Sequence, residues 1–137
     1  MLDIVIKGGR IVDGSGNPWY YGDVGIAEGR VAEIGRLTTV AARTVIDATN
    51  RVVCPGFIDT HTHSDLILLH QPLHEPDLRQ GITTEVLGQD GRSFAPVTEK
   101  NREWLRHANP WTDAGFSWDW RTMAEFRARF EGIVSIN

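Results

Sequence analysis

Between Leu2 and Cys54 no stretch of this chain sustains a helical period. Apolar residues alternate there in short runs separated by glycine-bearing turns, which restricts the segment to β-structure. Residues 2–7 alternate around Ile4 and Ile6 and read as a strand. Gly8-Gly9 reads as its end, and Arg10-Ile11-Val12 as a second short strand. Asp13-Gly14-Ser15-Gly16-Asn17-Pro18 is a turn cluster, because glycine supplies positive φ and Asn and Asp tolerate it. Asp23–Ala27 and Arg30–Ile34 flank Glu28-Gly29, a hairpin signal. Thr44–Ala48 and Arg51–Cys54 add two strands. A small all-β unit follows, and its role is packing.

At Pro55-Gly56 the pattern changes. Phe57–Thr62 reads as a strand, so His61 and His63, two residues apart, point to one face with Asp59 below them. Two imidazoles at that spacing can reach one ion, since neutral imidazole nitrogen is a common metal ligand. Residues 64–76 hold the apolar run Leu66–Leu69, with Pro72 and Pro76 breaking any long helix. A short helical stretch over 76–80 ends at Gly81, and Ile82–Leu87 is β-branched and apolar, a second strand. Thr98 is placed to cap a helix over Glu99–His107, closed by Asn109-Pro110. Thr122-Met123-Ala124-Glu125 fits a capping box. Met123, Phe126 and Phe130 form one apolar stripe beyond it, read as core. Trp111, Trp118 and Trp120 either line a pocket or pin a long loop, and packing is the preferred reading.

Pro55-Gly56-Phe57-Ile58-Asp59-Thr60-His61-Thr62-His63 closely resembles the signature at the first barrel strand of the metal-dependent amidohydrolase superfamily. The opening Asp3–Gly16 is similar to that superfamily's N-terminus. Gln80–Gly88, followed by Ser93-Phe94-Ala95-Pro96, resembles more narrowly the D-aminoacylase branch, the N-acyl-D-amino-acid deacylases. The likeness covers most of the chain to residue 97 and weakens beyond.

The resemblance implies an α/β fold: a small composite β-sandwich over residues 1–55, then over 56–137 the first strands and helices of an incomplete TIM-like (β/α)8 hydrolase barrel. A whole barrel needs about 250 residues, against 137 here. The chain is thus expected to be the front of a longer protein, with Gly132–Asn137 a strand just begun. It implies hydrolysis of a non-peptide C–N bond, that of an N-acyl-D-amino acid, by a metal-activated water. The alternatives are a cyclic amidase of hydantoinase or dihydropyrimidinase type, and a non-catalytic chain with a vestigial metal site.

Active sites of parallel barrels gather at the carboxyl ends of the strands. His61 and His63 end the first proposed strand and Asp90 follows the second. Neighbouring strands lie about 4.8 Å apart, so the three can meet at one ion. Zn2+ is the expected ion, one or two of them, with another divalent metal as the alternative. Asp90 stands where the D-aminoacylase pattern carries a metal-binding cysteine, which shifts metal preference away from soft thiolate chemistry. The family's further histidines and catalytic aspartate are expected beyond residue 137, so these residues alone are expected to bind metal weakly and turn nothing over. Cys54, at the junction, reads as a buried inert thiol. Asp59 reads equally as a group orienting a ligand or as a core hydrogen-bonding residue. His70, His74 and His107 read as surface residues.

Net charge is −4 with both signs interspersed, and no basic patch suggests nucleic acid. No apolar run approaches the roughly 18 residues of a membrane span. Met1-Leu2-Asp3-Ile4 is no secretory signal, and one cysteine makes no internal disulfide. These features suit a cytoplasmic protein, and the resemblance implies a small-molecule substrate.

Overall fold

The computed structural model describes residues 1–112 and 117–134. The chain divides into two compact units, Met1–Pro55 and Gly56–Asn137.

The first unit is one mixed sheet. Its central strand β1 (Leu2–Ile11) pairs antiparallel with β2 (Tyr20–Ala27) and parallel with β4 (Ala42–Asp47) and β5 (Val52–Val53). β3 (Arg30–Gly35) lies outside β2. Gly8-Gly9 does not end the first strand as expected. It forms a bulge, with a register shift between Ile6 and Gly9 and Gly8 at φ +71°. The Gly8 N–H donates to Asp23 Oδ1 at 2.9 Å, and the Leu37 N–H donates to Asp23 Oδ2 at 2.8 Å. One carboxylate thus receives the amide freed by the bulge and the one just past β3. The hairpin at Glu28-Gly29 forms as read, with φ of 52° and 71° at the two loop residues. That double left-handed turn matches the twist of the flanking strands. Leu2, Val5 and Leu37 form the buried cluster of this unit.

The second unit is α/β. Strands β6 (Phe57–Asp59) and β7 (Ile82–Glu85) pair in parallel, joined through the short helices α1 (Ile67–His70) and α2 (Glu75–Leu78). Both strands are shorter than the apolar runs suggest. Asp59 Oδ1 accepts the His61 N–H at 2.9 Å, a side-chain turn that takes the place of the next ladder bond.

Helices α3 (Glu99–Ala108) and α4 (Met123–Ala128) start where expected, each behind a capping box: Thr98 with Asn101, and Thr122 with Glu125. Leu66, Phe94, Val97, Leu105, Trp120 and Phe126 belong to the buried core, with Trp118. The Trp120 indole N–H donates to the Phe94 carbonyl at 2.7 Å. Trp118 and Trp120 therefore pack as read, whereas Trp111 is exposed. The stripe reading fails at Met123, which is 56% exposed. α4 stops at Ala128, so Phe130 is off the helix; it packs edge-on against Phe126 at 5.1 Å. Residues 131–133 form a turn rather than the start of a strand, and the rest of that expected strand, 135–137, lies outside the described residues, as does 113–116 of the tryptophan loop. Among the described residues no helix is long and apolar enough to cross a membrane.

Candidate metal centre

The turn at Asp59 sets the position of the histidines. It releases the chain from the ladder at Thr60, so His61 and His63 lie beyond β6 and not on it. They still converge. Their rings stand 5.8 Å apart at 81°, and both Nε2 atoms reach a single oxygen: His61 at 3.0 Å and His63 at 3.3 Å from Asp90 Oδ2. Strand alternation picked the right pair, but an Asx-type turn brings them together. Asp59 accepts the His61 backbone N–H, so of its two expected roles the contact it makes is the one that can orient a ligand, through the turn and not through the imidazole.

Asp90 reaches the same point from the loop after β7. It sits in the left-handed region at φ 57°, between Gly88 at 79° and Gly91 at 71°. The two imidazoles hold its carboxyl below the ordinary carboxylate range, the His61 hydrogen bond being the largest cause. All three side chains are open to solvent, at 61%, 40% and 63% for His61, His63 and Asp90.

The donor set suits a metal. Ligand atoms about 2.0–2.1 Å from a tetrahedral zinc lie about 3.4 Å from one another, close to the 3.0 and 3.3 Å separations found here. His61, His63 and Asp90 each offer one ligand atom within 4.8 Å of the others.

Two buried acidic residues, Asp65 and Glu85, were not singled out from the sequence. Asp65, 3% exposed, accepts the Gly88 N–H through Oδ1 at 3.0 Å. Its Oδ2 is buried without a partner among the described residues. Burial pushes its carboxyl up, against the opposing pull of the Gly88 hydrogen bond and nearby His63 and Arg92. Glu85 is buried and accepts from His74 Nδ1 at 2.9 Å, while His74 Nε2 lies 3.0 Å from Asp77 Oδ2. His74 is therefore a buried bridge between two carboxylates and not a surface residue. It is the N-cap residue of α2, at φ 42°. The available signal was Glu85 itself, a carboxylate within an apolar strand-like run, which requires a partner wherever it is buried. His70 and His107 are exposed as read. Cys54 is exposed rather than buried, because it falls on the Cys54-Pro55-Gly56 junction and not in β5. A cavity of about 480 Å3 is bounded by Asp65, Glu85, Gly88 and Phe126, but His61, His63 and Asp90 are not among its walls.

Parallel strands joined through helices, with imidazoles and a carboxylate gathered beyond their carboxyl ends, define an α/β chain of the metal-dependent hydrolase class. The chain belongs to the Amidohydrolase family, which residues 44–135 match. It is 43% identical over 109 residues to a D-aminoacylase of Alcaligenes xylosoxydans xylosoxydans, covering 80% of this chain and 21% of that protein. A D-aminoacylase structure with a binuclear metal centre superposes with a TM-score of 0.85 at 34% identity, covering 100% of this chain and 28% of that one. An N-acyl-D-glutamate deacylase structure from Bordetella bronchiseptica superposes with a TM-score of 0.68 at 46% identity over 70% of this chain and 20% of that one. The chain thus spans between a fifth and about three tenths of the length of these relatives.

Proposed function

We propose that this chain carries the first metal-binding segments of an N-acyl-D-amino-acid deacylase, with β6 and β7 as the first two strands of a TIM-like barrel. The observation that carries the reading is the meeting of two imidazole Nε2 atoms at one Asp90 oxygen. His61, His63 and Asp90 would hold the ion. Zinc fits an imidazole and carboxylate set, and zinc is bound in the deacylase structure whose phosphonate inhibitor mimics a tetrahedral intermediate. A divalent ion there supplies Lewis acidity and a water of lowered pKa. The chain's own part is to orient: Asp59 fixes the turn that presents His61, and the left-handed loop presents Asp90. Further ligands and the catalytic groups come from other parts of the whole protein. The single cysteine, at an exposed junction, is compatible with a cytoplasmic setting.

The test is hydrolysis of a panel of N-acyl-D-amino acids and cyclic ureides by the full-length protein, beside its His61→Asn and His63→Asn variants. Both variants are expected to fold, since the rings are largely exposed, and to lose bound metal and N-acyl-D-amino-acid turnover together. Unchanged turnover in either variant, or turnover of cyclic ureides alone, overturns the reading.

A further inference from the structure

The geometry points to Asp65 as a positioning residue for the metal centre, holding the Asp90 loop in register with the two histidines; we infer this on the strength of the proposed metal site above. Three observations combine. First, Asp65 lies two residues beyond His63, on the segment that presents both imidazoles. Second, its Oδ1 receives the N–H of Gly88 at 3.0 Å, the residue that opens the left-handed loop carrying Asp90. Third, the loop runs through the left-handed region at Gly88, Asp90 and Gly91, a sparsely populated conformation that surrounding contacts help to hold.

The carboxylate is costly where it stands. It is 3% exposed, and Oδ2 has no hydrogen-bond partner among the described residues. An apolar side chain of similar volume would avoid that cost. What the apolar side chain could not do is receive the Gly88 N–H. This hydrogen bond therefore ties the backbone of the aspartate-bearing loop to the histidine-bearing segment, and it can hold their separation when an ion takes the place of the direct imidazole–Asp90 contacts. Groups that orient metal ligands typically change affinity by about 10–100-fold when removed.

The full-length protein is titrated with zinc against a chromophoric chelator, and with Co2+ to record the absorption bands that report coordination geometry. Asp65→Ala and Asp65→Leu are each expected to raise the zinc Kd by about 10–100-fold and to change the Co2+ spectrum. Asp65→Asn, which retains an acceptor for Gly88, is expected to stay near wild type. Asp65→Leu separates positioning from folding: it removes the buried unpaired oxygen, so its melting temperature is expected to hold while its metal affinity falls. Wild-type zinc affinity and Co2+ spectra in Asp65→Ala or Asp65→Leu overturn the inference, and so does loss of folding in both. If instead the wild type binds no zinc, or His61→Asn and His63→Asn bind as the wild type does, the metal site itself is at fault and not the role of Asp65.

Discussion

At Asp90 one oxygen serves two imidazoles, and in the proposed metal site its chemistry would set which ion is preferred. Carboxylate favours harder ions than thiolate does. Replacing Asp90 with Cys in the full-length protein is therefore expected to raise affinity for cadmium relative to manganese, as read by competition titration; an unchanged ratio would show that Asp90 is not a ligand. Its partner histidines were legible because two imidazoles two residues apart are conspicuous in any conformation. Asp65 and His74 were not. Each depends on a contact distant in sequence, Asp65 with Gly88 and His74 with Glu85, and neither local pattern nor spacing announces such a contact. His74→Ala leaves the Glu85 carboxylate buried with no donor. It is expected to lower stability by about 1–3 kcal/mol in urea unfolding, with part of the loss recovered by His74→Gln, which can still donate.

Glycine accounts for much of what the sequence conveyed about the elements and for part of what it obscured. Glu28-Gly29 was readable because a two-residue hairpin loop has few conformational solutions. Gly8-Gly9 was not, because the same residue type marks strand ends and bulges alike; Asp23, fifteen residues away from Gly8, decides between them by accepting the Gly8 amide. Asp23→Ala is accordingly expected to cost about 1 kcal/mol, chiefly through the part-buried Leu37 amide, since the Gly8 amide can turn to water. The hydrogen bonds from Gly8 and then Leu37 lower the Asp23 pKa below its ordinary 3.8 in the folded state. Its contribution is thus fully present above that ordinary value and is lost as pH falls through the lowered one. The stability gap between wild type and Asp23→Ala should be full at pH 7 and shrink in strong acid, as compared by urea midpoints. In the second unit Gly56 marks a close approach: a Cβ there would lie 2.0 Å from Thr83 Oγ1 and 2.7 Å from Thr83 Cβ. Gly56→Ala should therefore push β6 off β7 and cost about 1–3 kcal/mol. Thr83→Ala in the same chain should recover only part, because the Thr83 Cβ contact remains.

For the whole molecule, the cluster is assembled but left open. His61 and Asp90 expose more than half of their side chains, so an ion bound there faces bulk water, where electrostatic stabilisation of a transition state is weak. Phe57, Ile58 and Val86, on or beside the paired strands β6 and β7, are exposed as well, an apolar surface of the kind that promotes association when it is left uncovered. These features set one expectation for the 137-residue chain prepared by itself and loaded with zinc. It should take up metal through His61, His63 and Asp90 more weakly than the full-length protein, self-associate in size-exclusion chromatography, and give no hydrolysis of N-acyl-D-amino acids above buffer. The full-length protein should remain dispersed and hydrolyse them. Turnover by the isolated chain that disappears in its His61→Asn variant would show instead that three exposed ligands suffice for the chemistry.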